Sequence, residues 1–265
     1  MTHVKEFRIV LLIAIVAVAL GANFCNAGTI TITETFSTDA DPFPGTSYSD
    51  WSFTANNGTM TPTVANGVLG IAQAAASGSA EGVAAQTSSD LFGTATFGTD
   101  FTVAADLGAS VNDSAGSVLA GISIGNIAGL YLPGHSAGFK WRNLATSDET
   151  AYIGMGFTPT ESTSTPLQSM VVDVEPDGDD YKLSVTITEG SNSFSTNKTF
   201  TTDQLGTLNN VGLVYRGWIG STNGATSGLY DNFAVTIVPE PSSVVLLICG
   251  VTMLLGVMRL RRKRA

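Results

Sequence analysis

Between residues 28 and 238, apolar and polar residues alternate in short runs, and no internal stretch holds a helical period. Alternation puts every second side chain on one face of an extended strand. Gly, Asn, Asp and Pro punctuate the runs, as turns between strands require. The pattern predicts strands over Thr29–Phe36, Trp51–Thr54, Gly67–Ala72, Phe101–Leu107, Val118–Ile124, Ala128–Leu132, Gly138–Asn143, Ala151–Phe157, Ser169–Glu175, Tyr181–Glu189, Ser193–Phe200, Val211–Trp218 and Gly228–Val238. The clearest hairpin runs from Val171 to Ile187 around Pro176-Asp177-Gly178-Asp179-Asp180. Ala72–Ala85 reads as a strand edge and a loose loop, and Thr158–Pro166 as a Ser/Thr/Pro-rich loop. About a dozen short strands favour an all-β chain folded as a two-sheet antiparallel sandwich or barrel.

The two ends break this pattern. Lys5 and Arg8 precede an apolar run from Ile9 to Leu20, and Cys25-Asn26-Ala27 places small residues for cleavage between Ala27 and Gly28. That is the order of a secretory signal peptide, the alternative being an uncleaved N-terminal anchor. At the other end Val238-Pro239-Glu240-Pro241 leads into an apolar run from Val244 to Met258. The chain then closes on Arg259, Leu260, Arg261, Arg262, Lys263, Arg264 and Ala265. Each Pro fixes its own φ and disfavours helix in the residue before it, so the first part is rigid and extended. The apolar run predicts a transmembrane helix over 243–260, short against the roughly 20 residues of a typical span. Cationic residues stay on the cytoplasmic side, which sends the bulk of the chain outward.

This three-part tail resembles the PEP-CTERM sorting signal of exopolysaccharide-producing Gram-negative bacteria. The resemblance covers about Val238 to Ala265. It implies that Pro239, Glu240 and Pro241, with the basic block Arg259, Arg261, Arg262, Lys263 and Arg264, are read by a membrane-embedded exosortase. The expected organisation is a signal peptide over 1–27, a β-sandwich ectodomain over 28–237 and a sorting signal over 238–265. A signal helix and a transmembrane helix would flank the sandwich.

Charge sharpens the picture of the exported part. From Gly28 to Pro241 the only bases are Lys140, Arg142, Lys182, Lys198 and Arg216, against 21 acids, a net charge of −16. Such a surface repels nucleic acid and anionic lipid headgroups. The two cysteines, Cys25 and Cys249, lie in the signal and in the tail, so the exported domain has none with which to form a disulfide.

Glu34-Thr35-Phe36, Trp51 and Asn66-Gly67-Val68-Leu69-Gly70-Ile71 near the start resemble parts of the concanavalin A-like, laminin-G-like jelly roll. So does Gly228-Leu229-Tyr230-Asp231-Asn232-Phe233-Ala234-Val235 near the end. The resemblance spans about Thr29 to Ile237 and implies that the first and last strands lie together. An immunoglobulin-like or other sandwich is the alternative. Some jelly-roll members hydrolyse β-glucans through carboxylates at alternate strand positions, a nucleophile and an acid on one face. Here Asp173-Val174-Glu175-Pro176-Asp177 offers an incomplete set that Pro176 is expected to break, so the hydrolase site is not carried over.

Other chemistry is sparse. His135 stands alone in a Gly/Pro turn, and the chain has no phosphate-binding loop or metal-spaced Cys/His cluster. Asp177, Asp179 and Asp180 could offer carboxylates to calcium, although turns favour Asp and Gly for backbone reasons alone. Trp51, Trp141 and Trp218 are candidate sugar-stacking residues, with core packing as the competing role. Phe139 and Trp141 share one face of their strand and Lys140 and Arg142 the other, which predicts a half-buried strand. The reading is a non-enzymatic exported protein that binds exopolysaccharide, with no cofactor. The alternatives are a structural envelope or matrix component, or a divergent glycoside hydrolase.

Overall fold

The computed structural model describes residues 30–36, 51–57, 60–73, 78–87, 100–112, 116–134, 138–208, 210–220 and 225–237. Thr31–Ile237 forms one compact unit. It is an antiparallel two-sheet β-sandwich. The proposed signal cleavage point at Ala27 and Gly28 lies outside the described residues, as do His135, Pro239, Glu240, Pro241, Arg259, Arg261, Arg262, Lys263 and Arg264. Among the described residues no helix is long and apolar enough to cross a membrane.

The strands are β1 (Ile30–Glu34), β2 (Ser52–Asn57), β3 (Met60–Ala65), β4 (Val68–Gln73), β5 (Gly78–Thr87), β6 (Phe101–Asn112) and β7 (Ser117–Ile124). They continue as β8 (Ile127–Tyr131), β9 (Phe139–Asn143), β10 (Gln168–Asp177), β11 (Asp180–Glu189), β12 (Asn192–Phe200), β13 (Asn210–Ile219) and β14 (Ala225–Ile237). One sheet has the order β12-β11-β10-β6-β14-β4-β3, with β1 also paired to β14. The other has the order β2-β5-β13-β7-β8-β9. First and last strands therefore lie together, and Thr31 Oγ1 sits 3.0 Å from Thr236 Oγ1.

The core fills the space between the sheets. Met170, Val172 and Val174 of β10 and Leu183, Val185 and Ile187 of β11 are all buried, so their period of two becomes one apolar face. From the facing sheet come Ile122 of β7, Ile127 of β8, Phe139 and Trp141 of β9 and Tyr215 of β13. Trp141 meets Phe200 of β12 edge-on at 5.3 Å, and Phe139 meets Phe194 at 5.4 Å. At another part of the core Trp51 packs between Phe36 and Phe233, at 5.5 and 5.1 Å. Phe233 reaches inward because a bulge between Asp231 and Ala234, with Asn232 at φ 49°, resets the alternation of β14.

Four expectations need correction. Ala72–Ala85 is mostly strand: β5 lies between β2 and β13, and its Ala and Gly residues suit a crowded interior, with Ala80 and Ala84 fully buried. Ala151–Phe157 is no strand; it keeps a single bridge between Ile153 and Phe139. β10 runs through Pro176 to Asp177, paired with Tyr181 and Asp180. Its pairing with β6 ends at Val174, so Pro176 lies where β10 has lost that neighbour and interrupts no ladder on that side. Gly178, at φ 67°, takes the first central place of the tight turn, which needs positive φ there. Finally, Thr202–Leu205 forms one short helix, α1, with a capping box between Thr201 and Gln204.

Candidate functional site

The strand β9 is not half-buried. Lys140 is 5% exposed and Arg142 7%, on the face opposite Phe139 and Trp141. This outer face of the six-stranded sheet carries a second apolar cluster of Leu119, Ala128, Leu130 and Val214, with Val83, Leu132 and Leu144 packed against it. Around the cluster lie three of the five bases between Gly28 and Pro241, Lys140, Arg142 and Arg216, together with Glu81 and Glu149.

The sheet must be strongly concave on this side. Arg142 on β9 and Glu81 on β5 are four strand spacings apart, about 19 Å across a flat sheet. Yet Arg142 Nε donates to Glu81 Oε2 at 2.5 Å. Two side chains and one hydrogen bond do not reach that far unless the sheet curls toward them. Gly121 of β7 and Gly212 of β13 let the strands pack tightly here, since a Cβ at either would come within 3 Å of atoms on a neighbouring strand.

A return segment brings the other acid. Asn143 Oδ1 accepts from the backbone N–H groups of Ala145 and Thr146, turning the chain after β9. The chain then runs back along the edge of β9, where Thr150 N donates to Trp141 O and Ile153 N to Phe139 O. That return places Glu149 beside the cations and also covers the sheet edge. Glu149 Oε2 accepts from Lys140 Nζ at 2.5 Å, and Oε1 accepts from Arg142 Nη1 at 2.6 Å and from Arg216 Nη1. Burial alone would raise the Glu149 pKa. The hydrogen bond from Lys140 and the charges of Arg216, Lys140 and Arg142 outweigh it and hold the carboxyl below its usual range.

Arg142 is fully engaged. Besides Glu81 and Glu149 it donates to Ser147 O at 3.1 Å and Ser147 Oγ at 3.3 Å. Ser79, Glu81, Arg142, Leu144, Ser147 and Arg216 line an open recess of about 540 Å³. Two aromatic side chains stand at this face. Trp218, 44% exposed, follows Arg216 by two residues on the same side of β13. Tyr152, 46% exposed, has its ring centroid 4.7 Å from Lys140 Nζ.

The three candidate tryptophans therefore separate. Trp51 and Trp141 are 3% and 2% exposed and packed against core aromatics, so neither presents a face to a sugar. Trp218 alone of the three is open. The acids around the hairpin point elsewhere: Asp173 accepts from Thr102 Oγ1 at 2.7 Å, and Glu175 pairs with Lys182 at 3.2 Å on the outer face of the larger sheet. Asp177, Asp179 and Asp180 do not fit a calcium site. Asp177 accepts from Thr199 Oγ1, and among the described residues no group of three His, Cys, Asp or Glu side chains converges to hold a metal ion. The sequence reading missed Glu81 and Glu149. Glu81 carried one signal, the alternation Ser79, Glu81, Val83 inside an otherwise small-residue run. Glu149 carried none, because its position depends on the return turn.

No family model matches the chain, and no curated protein matches it. Among solved structures, the winged bean acidic lectin complexed with methyl-α-D-galactose is similar at 8% identity and a TM-score of 0.47, over 80% of this chain and 100% of that one. The Emp47p carbohydrate recognition domain is similar at 10% identity and a TM-score of 0.45, over 79% and 95%. The CBM2 module of the evolved Dit of Lactobacillus casei BL23 phage J-1 is similar at 10% identity and a TM-score of 0.45, over 80% and 97%.

Proposed function

We propose that this chain is an exported protein, sorted through its C-terminal Pro239-Glu240-Pro241 tail by an exosortase-type membrane enzyme. At the cell surface or in the extracellular matrix, the concave face of its six-stranded sheet binds polysaccharide. The observation that carries the binding reading is Trp218, an open aromatic ring beside a polar recess on a concave sheet. An aromatic face supplies apolar area for one side of a sugar ring, and the polar wall supplies donors and acceptors for its hydroxyls. The role is binding without hydrolysis. The strand acids of the kind a glycosidase uses, Asp173 and Glu175, lie on the larger sheet away from this recess and are engaged by Thr102 and Lys182.

The binding test is a glycan array probed with the full chain in detergent micelles, alongside Trp218→Ala. Retention of a glycan that the variant loses supports the reading, and an array with no retained glycan removes it. The sorting test replaces Pro239, Glu240 and Pro241 with Ala in a producing strain. The variant is expected to stay membrane-held, and normal release would leave a simple tail anchor in place of a sorting signal.

A further inference from the structure

The charges on the concave face are unequal. Among the described residues, Lys140, Arg142 and Arg216 face only Glu81 and Glu149, a surplus of one positive charge in a segment, Gly28 to Pro241, whose net charge is −16. Bringing three of five bases to one hollow costs desolvation that a packed apolar surface would not incur. The three cations are also not equivalent. Lys140 and Arg142 side chains are 6% and 8% exposed, and Arg142 donates from all three of its guanidinium nitrogens. The Arg216 side chain is 28% exposed. Its Nη1 bonds Glu149, and its Nε lies 3.7 Å from Glu81 Oε2, too long for a hydrogen bond. Of the three cations Arg216 is the most open, and it lines the recess, so it has the most capacity to meet a ligand there.

Trp218 fixes what that capacity is aimed at. Two residues apart on one face of β13, Arg216 and Trp218 are separated by about 7 Å along the strand. That spacing suits a pyranose ring lying on the indole with an exocyclic acid directed along the strand. We infer that the polysaccharide bound at this face is acidic, and that Arg216 pairs with the carboxylate of the sugar ring stacked on Trp218; this inference rests on the glycan-binding reading above. A planar guanidinium matches a carboxylate better than a point charge does. Glu81 and Glu149 hold Arg216 in place and limit the net attraction to about one charge, so the surface accepts one uronate at a time and does not bind polyanions indiscriminately.

The experiment compares the full chain in detergent micelles with two forms of one polymer, oligogalacturonate and its carboxyl-reduced, neutral counterpart. The acid form is expected to bind at least about tenfold tighter, the size of one charge-assisted hydrogen bond. That preference should shrink as salt is raised. Acetate at the same carboxylate concentration should not displace the oligomer, because it lacks the ring that stacks on Trp218. In Arg216→Gln the gap between acid and neutral forms should close, whereas Trp218→Ala should weaken both. Equal affinity of the parent chain for the two forms overturns the acidic-ligand inference and leaves glycan binding standing. Binding of neither form, with an empty glycan array, removes both. The comparison within the parent chain decides the matter even where a variant fails to fold.

Discussion

Arg142 and Glu81 are joined at 2.5 Å across a sheet in which three strands, β13, β7 and β8, lie between theirs. Both side chains are buried, at 8% and 7% exposure. Removing one member of such a pair strands the other charge in the hollow. Glu81→Gln is expected to lower the unfolding free energy by about 3 kcal/mol. The double change Glu81→Leu with Arg142→Met should cost less than either single change, because it leaves no unpaired charge. Urea denaturation of the four proteins measures this, and a double variant as unstable as the sum of the singles would show that the pair is not one unit.

The tryptophans give opposite outcomes. Trp141 packs on Phe139 and Phe200, so Trp141→Ala should destabilise the domain by about 3–5 kcal/mol. Trp218 is open, and Trp218→Ala should change stability by no more than about 0.5 kcal/mol while glycan retention falls. Thermal unfolding and a binding assay on the same two variants separate these roles.

Acid should weaken the fold through Glu149. Its carboxyl is held below the ordinary value of 4.5 in the folded chain. A depressed folded pKa stabilises at pH values above the unfolded pKa, and that contribution disappears as pH falls through the folded one. Stability should therefore fall as the pH is taken below about 4.5. Glu149→Gln should flatten that acid limb, and an unchanged pH profile in the variant would mean that other carboxyls set it.

Alkali acts through the buried tyrosines. Burial raises the Tyr215 pKa from 10.0 to about 12, despite the hydrogen bonds from Thr226 and the backbone of Gln73, and pushes Tyr131 and Tyr230 well above their ordinary value. Here the folded state keeps the proton that the unfolded state gives up. The stabilisation is complete below pH 10, erodes as pH rises toward 12, and is lost with unfolding. Spectrophotometric titration should show these three phenols ionising together with the loss of β-type circular dichroism. Their ionisation at ordinary pH with the fold intact would contradict their burial.

Much of the sandwich was legible in the chain because strand burial is a local pattern. In β10 and β11 the alternation of Val172, Val174, Leu183 and Val185 with polar neighbours states both the strand and its buried face, and Gly178 marks the turn. Where local signals mislead, a non-local neighbour decides. Pro176 reads as a breaker, yet it sits where β10 has lost β6. The Ala/Gly run of β5 reads as a loop because it has little apolar contrast. Its size is instead dictated by Phe53 and Met60, whose atoms lie within 3 Å of where a Cβ on Gly82 would stand.

The candidate site was legible only in fragments. The alternation at Lys140 and Arg142 assigns them a common face, but the rule that charged faces meet water makes that face solvent-exposed. Only the curl of the six-stranded sheet turns it into the wall of a hollow, because curvature brings side chains from β5, β9 and β13 within bonding distance. By itself the sequence determined the all-β class, the two apolar runs that flank the β-patterned segment, and the acidic balance of that segment, since each follows from composition and local period. The tertiary structure alone decided that Trp51 and Trp141 belong to the core while Trp218 stands open, and that Glu149 meets three cations. Burial and charge pairing are properties of residues far apart in the chain, and no local pattern encodes the distance between them.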